Sequence, residues 1–127
     1  MPAAPASIVR FMDEREPMTL EVFAITGGDT SRHAYRISLT GEIDAASAPK
    51  LDAALDQLIE GGAAMVVLDA SSIEFIDSTG LRSIVVAGNK LSERGGRLLI
   101  EGMTGAVQRV LEVTGLIDQY RREPPAR

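Results

Sequence analysis

The 127-residue sequence contains no cysteine and no tryptophan. Without cysteine, the chain can form neither a disulfide bond nor a thiolate metal ligand or nucleophile. His33 is the only histidine, so a multi-histidine metal site is excluded and a surface position at a strand edge is expected for it. Aromatic residues make up only 4% of the chain, so the core must be built from aliphatic side chains.

The sequence also lacks an excess of basic residues. Its net charge is −5 and its isoelectric point is about 4.8, which gives no electrostatic footprint for nucleic acid or an anionic membrane surface. No apolar run approaches the ~20 residues that a membrane-spanning helix needs, and the N-terminus lacks the basic start and apolar segment of a signal peptide. We therefore expect a cytoplasmic protein that binds neither nucleic acid nor membrane.

Apolar periodicity predicts an α/β fold in one domain. The chain is expected to begin with strands over 19–25 and 33–39, followed by a helix that Ser47 caps and that has Pro49 in its first turn. A strand over 65–69, a helix over 79–91 and a strand over 97–101 come next. A helix capped by Thr104 follows, and residues 116–120 form a packed segment or a last short strand. This order predicts a mixed central sheet of about four to five strands, with an antiparallel edge hairpin and helices packed on the sheet. Gly88 falls in the middle of a predicted helix, so close packing is expected there.

Composition divides the chain into three parts. Residues 1–17 are rich in alanine, proline and charge, which predicts a flexible N-terminal extension. Residues 18–121 form the predicted domain, and residues 122–127 form a C-terminal tail. The extension contains one short apolar patch, over residues 8–12, that could dock elsewhere, for instance on a neighbouring subunit.

The main candidates for a functional site are Asp77, Ser78, Thr79 and Gly80. They lie where the pattern of a buried strand gives way to that of a helix. The local string I-D-S-T-G lacks the first glycine of a nucleophile elbow, and the chain has no phosphate-binding glycine motif or metal-ligand set. A hydrolase that uses Ser78 would need His33 beside it. The sequence therefore predicts a protein that is not an enzyme and needs no cofactor.

A structural role for this turn is also open. Asp77 or Ser78 could cap the helix that follows, as such residues commonly do. A cap does not require two adjacent hydroxyls followed by Gly80. A glycine there would leave the backbone uncovered, and another protein could approach it closely.

The string I-E-F-I-D-S-T-G-L, over residues 73–81, resembles the phosphorylation-site motif of anti-sigma factor antagonists, which belong to the STAS domain family. Three further segments resemble the family in the same order. They are L-T-G-E-I-D with the following S-A-P-K-L, then G-G-R-L-L-I-E, and then V-Q-R-V-L-E-V-T-G-L. The resemblance covers roughly residues 20–120.

The resemblance implies a bacterial phosphoprotein that regulates transcription by partner switching. The partner would be an anti-sigma factor that is also a serine kinase, and a metal-dependent serine phosphatase would reverse its action. Ser78 would be the phosphorylated residue, with Thr79 the less favoured target. The implied partner surface consists of Asp44, Asp77, Ser78, Thr79, Gly80 and Arg82. Arg82 stands where the family commonly has a small residue, so it is expected to affect partner choice.

The oligomeric state and a second class of function are also open. The protein is expected to be a monomer or a weak homodimer. An alternative function, from a different class, is a ligand-binding or transport-associated STAS accessory domain that handles nucleotide or lipid, in which Ser78 would only be a helix cap.

Overall fold

A computed structural model describes residues 9–11, 18–25, 33–103 and 105–121 of the chain. Within these ranges, strands and helices alternate after the first three strands. The strands are β1 (Val9–Phe11), β2 (Met18–Ile25), β3 (His33–Ile43), β4 (Ala63–Ile76) and β5 (Arg97–Glu101). The helices are α1 (Ala48–Glu60), α2 (Ser78–Glu93), α3 (Gly105–Thr114) and α4 (Ile117–Tyr120).

The five strands form one mixed sheet in the order β1-β2-β3-β4-β5. The pairs β1–β2 and β2–β3 are antiparallel, whereas β3–β4 and β4–β5 are parallel. The predicted α/β fold with a mixed sheet and an antiparallel edge hairpin is therefore confirmed. Strand β1 comes from the predicted N-terminal extension, whose other residues lie outside the described ranges.

The two longest strands, β3 and β4, run further than the sequence predicts. Strand β4 spans 14 residues and ends at Ile76, so the expected short connection after residue 69 is instead part of the strand. Strand β3 continues to Ile43, and Ile43 pairs with Ile76. The two strands thus end side by side, immediately before α1 and α2.

The hydrophobic core lies between the sheet and the helices. Val66, Leu68 and Ala70 of β4 belong to the core cluster, together with inward residues of all three longer helices. Val67 points to the opposite face and is fully buried without being part of that cluster. On that face, Arg36 of β3 donates a hydrogen bond to Glu101 of β5 over 2.8 Å, so this ion pair spans the central strand.

Helices α1 and α2 begin and end close to where the sequence predicts. Ser47 occupies the N-cap position of α1, but its side chain makes no capping hydrogen bond, so the predicted capping role is wrong. The glycines after these helices, at 62 and 95, adopt positive φ values of 97° and 80°, conformations that glycine tolerates at helix ends. The predicted cap Thr104 lies outside the described residues.

The C-terminal segment packs onto α2. Residues 117–120 form a short helix, not a strand, and Arg121 then makes a parallel bridge with Ile100. Tyr120 is 2% exposed and packs against Gly88, where an added Cβ atom would lie 3.0 Å from the tyrosine ring. The expected close packing at Gly88 is therefore confirmed, and Tyr120 is the residue that requires it.

The buried Tyr120 side chain carries a polar hydroxyl group into the core. Its hydroxyl group has no hydrogen-bond partner in the described part of the chain. The loss of solvation raises the pKa of Tyr120 above its ordinary value of 10.0. No helix in the described ranges is long and apolar enough to cross a membrane.

Candidate functional site

The candidate site is the turn between β4 and α2. Asp77 lies between the last residue of the strand and the first residue of the helix, with an extended backbone (φ −108°, ψ −173°). Its backbone N–H donates a hydrogen bond to the carbonyl of Ile43 over 3.1 Å. The turn is therefore tied to the end of β3, and the paired ends of β3 and β4 determine where it lies.

Asp77 is the cap of α2. Its Oδ1 atom accepts hydrogen bonds from the backbone N–H groups of Thr79 (2.9 Å) and Gly80 (3.0 Å). The Asp77 carbonyl accepts the first helical hydrogen bond, from Leu81 N–H over 2.9 Å. One carboxylate oxygen thus satisfies two of the N–H groups that a helix start leaves without intrahelical partners.

Ser78 is therefore not needed as a cap. It is exposed, and among the described residues its hydroxyl makes no hydrogen bond. The expectation, within the alternative function, that Ser78 acts as a helix cap is wrong because the Asp77 carboxylate performs that role. The Ser78 hydroxyl lies open to solvent in the first turn of the helix.

Gly80 is buried beneath the turn. An added Cβ atom would lie 2.6 Å from Ile43 Cγ2, 2.9 Å from the Ile43 carbonyl oxygen and 3.0 Å from Ile76 Cγ1. The expectation that Gly80 leaves the backbone uncovered for another protein is wrong. A glycine is required because α2 approaches the end of β3 so closely that no side chain fits.

Thr79 and Arg82 line a groove between α1 and α2. Thr79 is exposed, and its carbonyl accepts a hydrogen bond from the buried Ser83 hydroxyl over 3.4 Å. The groove has a volume of about 360 Å³ and contains both charged and apolar side chains. It is lined by Asp52, Leu55, Asp56, Thr79, Arg82, Ser83, Val86, Ala87 and Lys90.

The groove has charge of both signs. Lys90 of α2 donates a hydrogen bond to Asp56 of α1 over 3.1 Å, which links the two helices. Val86 is 38% exposed and supplies an apolar part of the lining. The sequence pattern does not predict this groove, because the groove depends on the relative placement of two helices.

Asp44 follows β3 and is also tied into a turn. Its Oδ1 atom accepts hydrogen bonds from the backbone N–H groups of Ala46 (3.0 Å) and Ser47 (3.1 Å). Ser47 is fully buried, and its hydroxyl accepts a hydrogen bond from Asp44 N–H (2.9 Å) and donates one to the Glu42 carbonyl (2.8 Å). Asp44 directly follows Ile43, so the two aspartates are carried by adjacent strand ends.

His33 lies far from this turn. It begins β3, whereas Ile43, which contacts Asp77, ends the same strand. Ten steps of about 3.3 Å along a strand separate them by roughly 33 Å. The hydrolase alternative, which needs His33 beside Ser78, is therefore wrong. Within the described ranges, no three His, Asp or Glu side chains come together to hold a metal ion.

Comparison with known proteins identifies a family. The family model described as "Mlab, STAS domain" matches residues 26–118. The anti-sigma-B factor antagonist of Listeria monocytogenes serovar 1/2a is 38% identical over 84 residues, which cover 65% of this chain and 72% of that protein. Its name describes a regulatory binding protein, in agreement with the prediction that this chain is not an enzyme.

Solved structures are similar in fold. An anti-sigma factor antagonist from Mycobacterium paratuberculosis has a TM-score of 0.63 at 25% identity and covers 78% of this chain and 82% of its own. The anti-sigma factor antagonist SpoIIAA in its unphosphorylated form has a TM-score of 0.63 at 19% identity, and the match covers 88% of this chain and 84% of the SpoIIAA chain. The phosphorylated form of Bacillus SpoIIAA has a TM-score of 0.61 at 18% identity, and the match covers 94% of this chain and 92% of the SpoIIAA chain.

The two SpoIIAA likenesses show the fold alone. The family assignment depends instead on the family model, which spans most of the chain, and on the relative at 38% identity. The resemblance noted in the sequence is thereby confirmed. This chain belongs to the STAS domain family, and its homologues are anti-sigma factor antagonists.

Proposed function

We propose that this chain is an anti-sigma factor antagonist that binds an anti-sigma factor with serine kinase activity while Ser78 is unmodified. Phosphorylation of Ser78 by that kinase releases the antagonist, and a metal-dependent serine phosphatase restores it. The observation that carries this proposal is the Ser78 hydroxyl, which directly follows the capping Asp77, is exposed, and makes no hydrogen bond to the described residues. The names of the homologues support the same proposal.

The position of Ser78 suits a residue that gains charge without disrupting its own domain. A phosphate adds about −1.5 to −2 charges at pH 7, and a helix N-terminus stabilises negative charge. Because the Ser78 hydroxyl is exposed and makes no bond to the described residues, its modification breaks no contact in the fold. The phosphorylated domain should therefore remain folded.

The phosphate lowers the affinity of the partner for the turn. An unmodified turn can be buried in an interface at small desolvation cost, whereas a phosphate beside the Asp77 carboxylate resists burial unless it is paired. A penalty of roughly 4 kcal/mol weakens binding about a thousandfold. A change of this size is enough to transfer the kinase from this antagonist to a sigma factor.

The proposed partner surface surrounds the turn. Its residues are Asp44, Asp77, Ser78, Thr79, Gly80 and Arg82. Gly80 contributes indirectly, because it is buried and allows the turn to lie against Ile43. Thr79 is also exposed and is the secondary target for the kinase. The chain acts in the cytoplasm as a monomer or weak homodimer that regulates transcription.

A phosphorylation experiment with matched variants tests this function. The purified chain is incubated with candidate anti-sigma kinases from its own organism and ATP, and the product is mapped by mass spectrometry. We expect phosphate on Ser78, and we expect Ser78→Ala to bind the cognate kinase without being phosphorylated. Thr79→Ala is the control that should be phosphorylated like the unaltered chain.

Other outcomes would count against the proposal. Phosphate on Thr79 alone would move the modification site by one residue. If no candidate kinase binds while a nucleotide or lipid raises the melting temperature, the accessory-domain function is favoured. Binding by Ser78→Asp as tight as that of the unaltered chain would contradict exclusion by charge.

A further inference from the structure

Arg82 is an exposed cation that has no carboxylate partner among the residues that the structure describes. It lies on α2, four residues after Ser78, which begins the helix. Within the described ranges, Arg82 has no acidic group within 4.0 Å. By contrast, Lys90 on the same helix is paired with Asp56. Arg82 is thus available to an anion that is absent from the unmodified chain.

Helix geometry places Arg82 beside Ser78. Residues four apart lie on the same side of a helix, one turn from each other. Ser78 is the first residue of α2, so the side chain of Arg82 lies one turn further along the same row. The guanidinium group presents several donors in a planar fork that matches the oxygen atoms of a phosphate.

We propose that Arg82 forms an ion pair with the phosphate on Ser78 within the same chain. This inference rests on the proposed function, because it requires that Ser78 carries phosphate. The ion pair holds the phosphate of Ser78 against the N-terminal end of α2. Because the phosphate carries about −1.5 to −2 charges at pH 7 and Arg82 only one positive charge, the paired turn beside Asp77 still presents net negative charge to a partner.

The other charged groups around the turn differ in how they affect this pairing. The Asp77 Oδ1 atom is engaged by two backbone N–H groups, and Asp44 Oδ1 is engaged by its own turn. Asp52 and Asp56 line the groove that Arg82 also lines, and Lys90 is bound to Asp56. Of the two cations that line the groove, Lys90 is bound to Asp56, which leaves Arg82 to approach the phosphate, while Asp52 competes for it from α1.

The phosphate pKa measures this pairing directly. Phosphoserine is introduced at position 78 of the full chain during translation by an expanded genetic code, and the phosphate is titrated by ³¹P NMR. An adjacent cation favours the dianion, so the second pKa, ordinarily about 6, should be lower with Arg82 present. In Arg82→Gln we expect this pKa to be about 0.3 higher than in the unaltered phosphoprotein.

Two control variants identify the cause of the shift. Arg109→Gln removes another exposed positive charge, on α3, and should leave the phosphate pKa unchanged. Arg82→Lys retains the charge but loses the planar fork, so its phosphate pKa should lie between those of the unaltered protein and Arg82→Gln. Equal pKa values for the unaltered protein and Arg82→Gln, or an equal shift in Arg109→Gln, would overturn the proposal.

The experiment separates this inference from the proposed function. No kinase or anti-sigma factor is used, so the ion pair can be found even if no partner binds the chain. Conversely, Ser78 can be a kinase substrate while the titration shows no pair. Failure of one proposal is therefore distinguishable from failure of the other.

Discussion

At the scale of single residues, the turn assigns a different role to each of three adjacent polar side chains. The Asp77 carboxylate binds backbone N–H groups, the Ser78 hydroxyl is exposed and makes no hydrogen bond within the described ranges, and Thr79 lines the groove. The sequence could not decide between Asp77 and Ser78 as the cap, because both are favourable cap residues. The backbone decides it, since Asp77 is extended and Ser78 is already helical.

Removal of the cap should destabilise the domain by a measurable amount. We expect Asp77→Ala to lower the free energy of unfolding by about 1 kcal/mol, because two N–H groups lose their acceptor. Asp77→Asn retains an acceptor oxygen and should lose less. Urea denaturation followed by circular dichroism measures both, with Ser78→Ala as a control that should match the unaltered chain. An equal loss in Asp77→Asn and Asp77→Ala would indicate that charge, not hydrogen bonding, matters at this position.

At the scale of elements, periodicity predicted the order of strands and helices but not the full length of β4. Its second half contains polar residues at 69, 71, 72 and 74, which do not form the apolar run of a buried strand. Pairing with β3 extends it, through Thr40 with Ser72 and Ile43 with Ile76. Such long-range pairing cannot be read from a local pattern, and the same pairing determines where α2 begins.

The junction between these elements makes Gly80 sensitive to substitution. We expect Gly80→Ala to lower the free energy of unfolding by about 2 kcal/mol, because the added methyl group overlaps Ile43 and its carbonyl. Asn89→Ala, at an exposed position of the same helix, is the control and should be neutral or slightly stabilising. Urea denaturation of both variants provides the test. A neutral Gly80→Ala would mean that α2 can move away from β3 without cost.

At the scale of the whole molecule, segments near both ends of the chain contribute to the domain. Strand β1 extends the sheet from within the predicted N-terminal extension, and Tyr120 packs on α2. The sequence does not predict β1, because three residues are too few to show the alternation of a strand. It did indicate that residues 116–120 pack, although the backbone there is helical and not extended.

The buried tyrosine makes global stability depend on alkaline pH. Because burial raises the pKa of Tyr120 in the folded state above 10.0, its ordinary value, the folded state holds the phenol proton more tightly than the unfolded state does. This contribution is fully present below the unfolded pKa and is lost as pH rises through the folded pKa. Stability should therefore decline above pH ~10.

Tyr120→Phe isolates this effect. The variant should be as stable as the unaltered chain at neutral pH, or more stable by up to about 1 kcal/mol, because the hydroxyl has no described partner. Urea denaturation from pH 8 to 11 should show a steeper decline for the unaltered chain than for Tyr120→Phe. Parallel declines would show that deprotonation of Tyr120 does not govern alkaline stability.

The open hydroxyl at position 78 also has a practical consequence. The chain has no cysteine, so Ser78→Cys would place a single thiol at the proposed switch without removing a contact among the described residues. Helix N-termini favour the thiolate, which is the form that reacts with labels. A fluorophore attached there would sit on the surface that a partner must cover, so binding and release could be observed in real time on an otherwise unaltered domain.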